Sequence, residues 1–124
     1  MSFALEFPDS EVRRVAAEGD TLRVEFSAAA VHGPGAARGW LPGVVATLSD
    51  AAWTGELAHA VGRLADGSLH VGGTRVARPA LPGTQGGEIA LALRFANGTV
   101  LAAHGATLTL TLAADARFAE DLSC

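Results

Sequence analysis

The chain has 124 residues and a formal net charge of −4, and its nine basic side chains are all arginines. A chain of this length buries roughly two thirds of its unfolded surface, so residues 1–124 are predicted to form a single domain around one core. The absence of lysine excludes Schiff-base chemistry and a P-loop lysine. Thirteen acidic side chains outnumber the basic ones, and nucleic-acid-binding proteins present a net positive face, so we expect no nucleic-acid partner.

The composition and the opening residues indicate a cytoplasmic protein. The abundance of alanine and the absence of lysine and tyrosine are typical of a GC-rich genome, which favours a bacterial source. Cys124 is the only cysteine, so no internal disulfide can form, and residues 1–9 lack the pattern of a signal peptide. Residues 95–114 carry no formal charge, but Asn97 and Gly98 indicate a turn within them, so we expect no membrane span.

The first half of the chain alternates apolar and polar residues, which predicts strands. A short first strand over residues 3–7 is expected to end at Pro8. Loops rich in glycine and proline are predicted over residues 32–43 and 79–87. Neither loop is expected to separate domains, because the sequence on both sides is strand-like.

A first hairpin is predicted between residues 11–18 and 21–28, with Gly19 and Asp20 in a type II′ turn. Continuing the direct register would turn Arg13 toward the core, so a bulge near Arg13 is needed to return Val12 to that face. The direct register pairs Ala17 with Leu22 and Val15 with Val24.

A second hairpin is predicted at the C-terminal end, where strand residues 88–95 and 100–112 flank Asn97 and Gly98. Both positions of a two-residue type I′ turn need positive φ, which this dipeptide tolerates. The return strand is expected to keep one parity throughout, which turns His104 toward the apolar face. The expected pairs are Phe95 with Val100, Leu93 with Ala102 and Leu91 with His104.

Residues 49–64 allow either a helix or strands. Gly55 and Gly62 would each cost a helix about 1 kcal/mol relative to alanine, so strands with at most a short helical turn are favoured. Asp66 and Gly67 predict a further hairpin, which would place Arg63 opposite His70 and His59 opposite Thr74.

These elements predict a mainly β fold of about seven or eight strands, arranged as an antiparallel β-sandwich or flattened barrel. A second short helical turn is expected at the C-terminus, over residues 115–122, where Phe118 and Leu122 would share a side.

The sequence predicts two candidate sites. His104 is either a core residue or a group in a pocket surrounded by small alanines. Arg63, Arg75 and Arg78, with His59 and His70 nearby, form either a solvated strand face or a face that holds an anion through guanidinium groups. The same face could instead receive the acidic tail, Glu120 and Asp121.

No metal or cofactor is expected. In the predicted register, His59 and His70 lie about 13 Å apart along the strands, which is too far for one zinc ion. The sequence also lacks a Gly-x-Ser-x-Gly nucleophile motif, which favours a protein that is not an enzyme.

The sequence therefore predicts a non-enzymatic association module, which forms a homodimer or binds another protein. The alternating residues 107–112 would be hazardous as a bare edge, which suggests pairing across an interface. The alternative is a domain or minor enzyme that binds a small molecule, in particular an anion, near His104 or the glycine-rich and proline-rich loops. Trp40 would then offer a stacking surface.

Overall fold

The computed structural model describes residues 3–33, 35, 37–113 and 117–120. These residues form eleven antiparallel strands with very little helix in a single small domain, so the prediction of a mainly β fold is confirmed. The strands are β1 (Phe3–Glu18), β2 (Thr21–His32), β3 (Arg38–Leu41), β4 (Val45–Ser49), β5 (Ala52–Thr54), β6 (Gly62–Val71), β7 (Thr74–Arg75), β8 (Ala80–Leu81), β9 (Gly83–Phe95), β10 (Val100–Thr111) and β11 (Ala119–Glu120). A 3₁₀ turn covers Leu57–His59, between β5 and β6.

Six of these strands close into a barrel, in the order β1, β2, β4, β10, β9 and β6 and back to β1. The others are short additions: β3 and β11 extend from β2, β5 pairs with β10, β7 with β6, and β8 with β1. The fold is thus a closed barrel with extra strands. The strand number exceeds the predicted seven or eight because short strands form inside segments expected to be loops.

Apolar side chains from the barrel strands fill its interior. A barrel of so few strands has an interior that side chains alone can occupy. Burying each large apolar side chain contributes about 1.5–3 kcal/mol to stability. The largest wholly buried side chains on the barrel strands are Leu5, Leu22, Leu48, Leu64, Leu69, Ile89, Leu93, Phe95, Leu101 and Leu108.

The first hairpin forms with the predicted register. Gly19 has a φ of 62°, and Val15 lies opposite Val24. The register shifts between Val12 and Arg14, so the bulge expected near Arg13 is present. Val12 is consequently buried. The alternation of the sequence and one turn were enough to predict this hairpin.

The prediction that Pro8 ends the first strand is wrong. A wide bulge lies between Glu6, which pairs with Ala30, and Glu11, which pairs with Ala28. The wholly buried Ser10 replaces ladder hydrogen bonds there. Its hydroxyl donates to the Glu6 carbonyl oxygen at 2.6 Å and accepts from the Ala30 amide at 2.8 Å. Strand β1 therefore continues through the proline.

The two predicted loops also contain strands. Strand β3 lies within residues 32–43, while β8 and the start of β9 lie within 79–87. A Cβ on Gly39 would overlap the Ala119 carbonyl oxygen, and one on Gly83 would lie 2.6 Å from the Ala80 carbonyl oxygen. These two glycines permit close approach of neighbouring backbones. Their presence in the sequence was the reason for predicting loops, so the same residues had a different structural cause.

The C-terminal hairpin forms, but the predicted register is wrong by one residue. The Phe95 amide donates to the Thr99 carbonyl oxygen at 2.8 Å, and the Gly98 amide donates to the Phe95 carbonyl oxygen at 3.0 Å. The loop therefore has three residues, with Gly98 at a φ of 92°. A three-residue loop that ends in a left-handed glycine is an alternative to the type I′ turn.

This shift of one residue reverses the faces of the return strand. Leu101 and Ala103 are buried, while His104 is exposed opposite Ala90. His104 is therefore neither a core residue nor the lining of an internal cavity. The pairing of β9 with β10 has a register shift between Gly105 and Thr107. Beyond it, Leu108 and Leu110 face the core as predicted.

Residues 49–64 form the predicted strands with a short helical turn, but the hairpin at Asp66 and Gly67 is absent. Strand β6 runs through these positions, and the turn lies instead at Gly72 and Gly73, which both have positive φ. Glycine at position 67 serves a different purpose, because a Cβ there would lie 2.6 Å from the Cβ of Phe7.

The C-terminal helical turn is also wrong where it can be assessed. Residues 119 and 120 form β11, which pairs with Gly39 and Trp40 of β3. Of the predicted turn over residues 115–122, residues 115, 116, 121 and 122 lie outside the described residues.

Replacing Ser10 with alanine should destabilise the fold by about 1–3 kcal/mol, because the Ala30 amide and the Glu6 carbonyl group would lose a partner in a buried place. Urea unfolding followed by circular dichroism measures the effect. Ser68→Ala, on the outer side of β6, is the matched control and should change stability by less than about 0.5 kcal/mol. Equal stabilities of the two variants would contradict the bridging role of Ser10.

Gly67→Ala should cost about 1–3 kcal/mol, because the new methyl group would overlap the Phe7 side chain. Gly86→Ala is the control, because a Cβ there meets no atom within 4 Å. The control should be neutral or slightly stabilising, since alanine reduces the freedom of the unfolded chain. Thermal unfolding of both variants would show the difference, and a neutral Gly67→Ala would refute the close contact.

Candidate functional site

A cleft of about 410 Å³ collects charged side chains from six segments of the chain. We call it the arginine cleft and define it by six residues: Glu6, His32, Arg38, Asp66, Arg75 and Arg78. They lie on β1, at the end of β2, at the start of β3, on β6, at the end of β7 and between β7 and β8. Phe7, Pro8, Gly67 and Ala77 complete the lining.

Glu6 is the centre of this cluster. Its carboxylate oxygens lie 2.7 Å from His32 Nε2, 3.4 Å from Arg38 Nε and 3.4 Å from an Arg78 guanidinium nitrogen. The side chain of Glu6 is only 20% exposed, whereas those of both arginines are more open to solvent. One half-buried carboxylate therefore holds three basic groups from separate segments.

Strand pairing explains how these groups meet. Ala4 lies opposite His32 in the β1–β2 ladder, two residues from Glu6. Residues two apart on a strand share a face, so Glu6 and His32 are diagonal neighbours. His32 lies opposite Arg38 in the β2–β3 ladder, which adds the arginine.

Asp9 extends the cluster along its rim. It lies in the β1 bulge with a φ of 70°, and its carboxylate is 3.5 Å from an Arg38 nitrogen and 3.3 Å from Arg63 Nη1. The groups are about half exposed, so these ion pairs contribute at most about 1 kcal/mol each. The main effect of Asp9 is thus to orient Arg38 and Arg63, since its contribution to the stability of the fold is small.

The pKa of Glu6 is lower than its ordinary value of 4.5. Partial burial raises this pKa, but the hydrogen bond and charge of His32 and the charges of Arg38 and Arg78 together lower it by more. The carboxylate is therefore ionised at neutral pH, and the cleft presents fixed guanidinium groups around a permanent negative charge.

The predicted arginine face is only partly brought together. Arg75 and Arg78 line the cleft, and Arg63 joins its rim through Asp9, but Arg63 lies opposite Glu11 rather than His70. The absence of the expected turn in β6 explains this difference, because β6 continues past the point where it would have reversed.

The predicted histidines and Trp40 lie outside the cleft. His70 faces Arg75 across β6 and β7, and with His104 it borders a separate outer depression of about 450 Å³. His59 belongs to the 3₁₀ turn rather than facing Thr74. Trp40 lies on β3 opposite Ala30 and Ala119.

Sequence reasoning missed four cleft residues: Glu6, His32, Arg38 and Asp66. His32 and Arg38 belong to the predicted loop over residues 32–43, which is one of the two loops expected near a small-molecule site. Glu6 carried no signal, because it occurs as an ordinary polar residue in an alternating strand. Of the acidic tail, Glu120 has its backbone opposite Gly39, and Asp121 lies outside the described residues.

Further properties of the described part of the chain bear on function. It contains no group of three histidine, cysteine, aspartate or glutamate residues placed to hold a metal ion. It also contains no helix of sufficient length and apolar character to cross a membrane. Comparisons with family models, curated proteins and solved structures find no match to this chain.

Acidification tests the electrostatic role of Glu6. Because its pKa is lower in the folded state, its contribution to stability is present above the unfolded value of 4.5 and is lost as the pH falls through the folded value. The free energy of unfolding should thus decrease between about pH 5 and pH 3, and less steeply in Glu6→Gln. Urea titrations across this range measure the slopes. Glu88→Gln, outside the cleft, should retain the wild-type slope, and an identical slope in Glu6→Gln would refute the role.

Proposed function

We propose that this protein binds a small anionic ligand in the arginine cleft. The observation that carries the proposal is the presence of Arg38, Arg75 and Arg78, from three separate segments, around one cavity of about 410 Å³. Guanidinium groups present paired donors that match carboxylate and phosphate oxygens. Three of them at one concave site favour an oxyanion over a neutral ligand.

The ion pairs within the cleft support binding by reducing its entropic cost. Arg38 is held by both Glu6 and Asp9, and Arg78 is held by Glu6. A side chain that is already oriented loses less freedom when a ligand arrives. Glu6 and Asp9 thus act as positioning residues for the guanidinium groups.

We propose binding rather than catalysis, because the described lining residues include no serine, threonine or cysteine nucleophile. The arginine cleft gives direct support to a ligand site, whereas the support for the predicted self-association is weaker. Residues 107–111 of β10 pair with β4 on one side, and residues 107–110 pair with β9 on the other. Association was predicted because this segment would be hazardous as an unpaired strand edge, and the segment is instead paired within the chain. Association with a second copy or another protein stays a prediction.

Calorimetric titration with sodium propionate, inorganic phosphate and sodium sulfate tests this proposal. Ionic strength is kept constant with sodium chloride, because exposed charges attract any anion weakly. At least one of the three probes should bind saturably at one site per chain. Arg75→Gln and Arg78→Gln should each weaken that binding about tenfold, which corresponds to about 1.4 kcal/mol.

Arg13→Gln is the matched control, because Arg13 is an exposed β1 residue outside the cleft. It removes the same charge and should leave the affinity unchanged. Equal weakening by Arg13→Gln and Arg75→Gln would indicate general charge attraction. That result, or the absence of saturable binding by all three probes, would overturn the proposal.

A further inference from the structure

Two charged groups of the arginine cleft are left over after its internal pairing. Glu6 is matched by His32, Arg38 and Arg78. By contrast, Arg75 and Asp66 form no ion pair with any described residue within 4.0 Å. The cleft therefore offers one positive and one negative group to a ligand.

We propose that the ligand is a zwitterion, with its oxyanion on Arg75 and its ammonium group on Asp66. This inference rests on the proposed function, because the oxyanion end is the anion of that proposal. It adds a second requirement, which is a cationic group on the same molecule. The chemical class is an amino acid whose two charged ends are separated by several bonds.

The placement of the two residues favours separated charges. Asp66 lies on β6 four residues before His70, and His70 is the cross-strand partner of Arg75. Four residues extend about 13 Å along a strand, so the backbones of Asp66 and Arg75 lie far apart. Both residues nevertheless line the same cleft, which leaves room for an aliphatic segment between their charged ends.

The apolar part of the lining suits such a segment. Phe7, Pro8 and Ala77 border the cleft together with the charged side chains. Methylene groups that contact these residues are removed from water, which favours binding. A chain with charges only at its ends would therefore match both the polar and the apolar lining.

The charges of the cleft disfavour a ligand with two negative groups. Its lining includes the carboxylates of Glu6 and Asp66, so a second anionic group would meet a negative charge. Asp66 has a cationic cross-strand neighbour in Arg94, yet the two do not form an ion pair. Asp66 Oδ1 accepts a hydrogen bond from the Gly67 amide nitrogen at an N–O distance of 2.8 Å. The other oxygen can accept a hydrogen bond from an ammonium group.

The experiment compares 4-aminobutyrate and 6-aminohexanoate with butyrate, hexanoate and butylamine, by calorimetric titration of the full chain at constant ionic strength. At least one of the amino acids should bind about tenfold more tightly than the carboxylate of the same carbon number. Butylamine alone should bind weakly, because it lacks the group that Arg75 recognises. Raising the salt concentration should reduce the difference.

Variants separate the two ends of the ligand. Asp66→Asn should abolish the advantage of the amino acid and leave the affinity for butyrate unchanged. Arg75→Gln should weaken both. Glu88→Gln, which removes an acid outside the cleft, is the control and should change neither affinity. Asp66→Ser provides a second test if the asparagine variant does not fold.

The outcomes distinguish this inference from the proposed function. Saturable butyrate binding with no gain from the amino group, or equal weakening of both ligands by Asp66→Asn, would overturn the zwitterion and leave the anion site standing. Absence of saturable binding by all the carboxylates and amino acids, together with phosphate and sulfate, would overturn both. A gain that Asp66→Asn and Asp66→Ser abolish, and Glu88→Gln preserves, would support both.

Discussion

Strand β1 pairs with β2 along one edge, and along its other edge it changes partner from β8 to β6. The change occurs across the bulge that contains Pro8, Asp9 and Ser10, where the hydroxyl of Ser10 replaces missing ladder bonds. Backbone polar groups that are buried without a partner are costly, so the bulge depends on this serine. Barrel closure requires β1 to meet both β2 and β6, and it therefore depends on the same serine.

The bulge also links the fold to the cleft. Glu6 lies at one end of it and Asp9 within it, and together they contact the guanidinium groups of Arg38, Arg63 and Arg78. Half-exposed ion pairs stabilise a fold only slightly. The arginines gathered at one concave place are therefore consistent with the proposed ligand site, and they add little to stability. The constraint that closes the barrel also positions the groups that would bind that ligand.

The two hairpins show what local patterns can predict. In the first, the Gly19 turn and the need to bury Val12 predict the observed pairing next to the turn and the bulge near Arg13, whereas the further shift between Glu11 and Val12 is not predicted. In the second, Asn97 and Gly98 were compatible with two loop lengths. The longer loop forms in the structure, where the Thr99 amide donates to Asn97 Oδ1, Asn97 Nδ2 donates to the His59 carbonyl oxygen, and β10 packs between β4 and β9. His104 was placed on the wrong face for this reason.

The sequence alone determined the strand character, the single domain and the first hairpin, because alternation and turn chemistry act over a few residues. It also indicated that Arg75 and Arg78 could form part of an anion site. The tertiary structure decided the closure of the barrel and the membership of the cleft. Glu6, His32 and Asp66 are far apart along the chain, and they meet only because β1, β2 and β6 become neighbours in the closed sheet. A local sequence pattern cannot predict which distant strands become neighbours, since this depends on how the whole core packs.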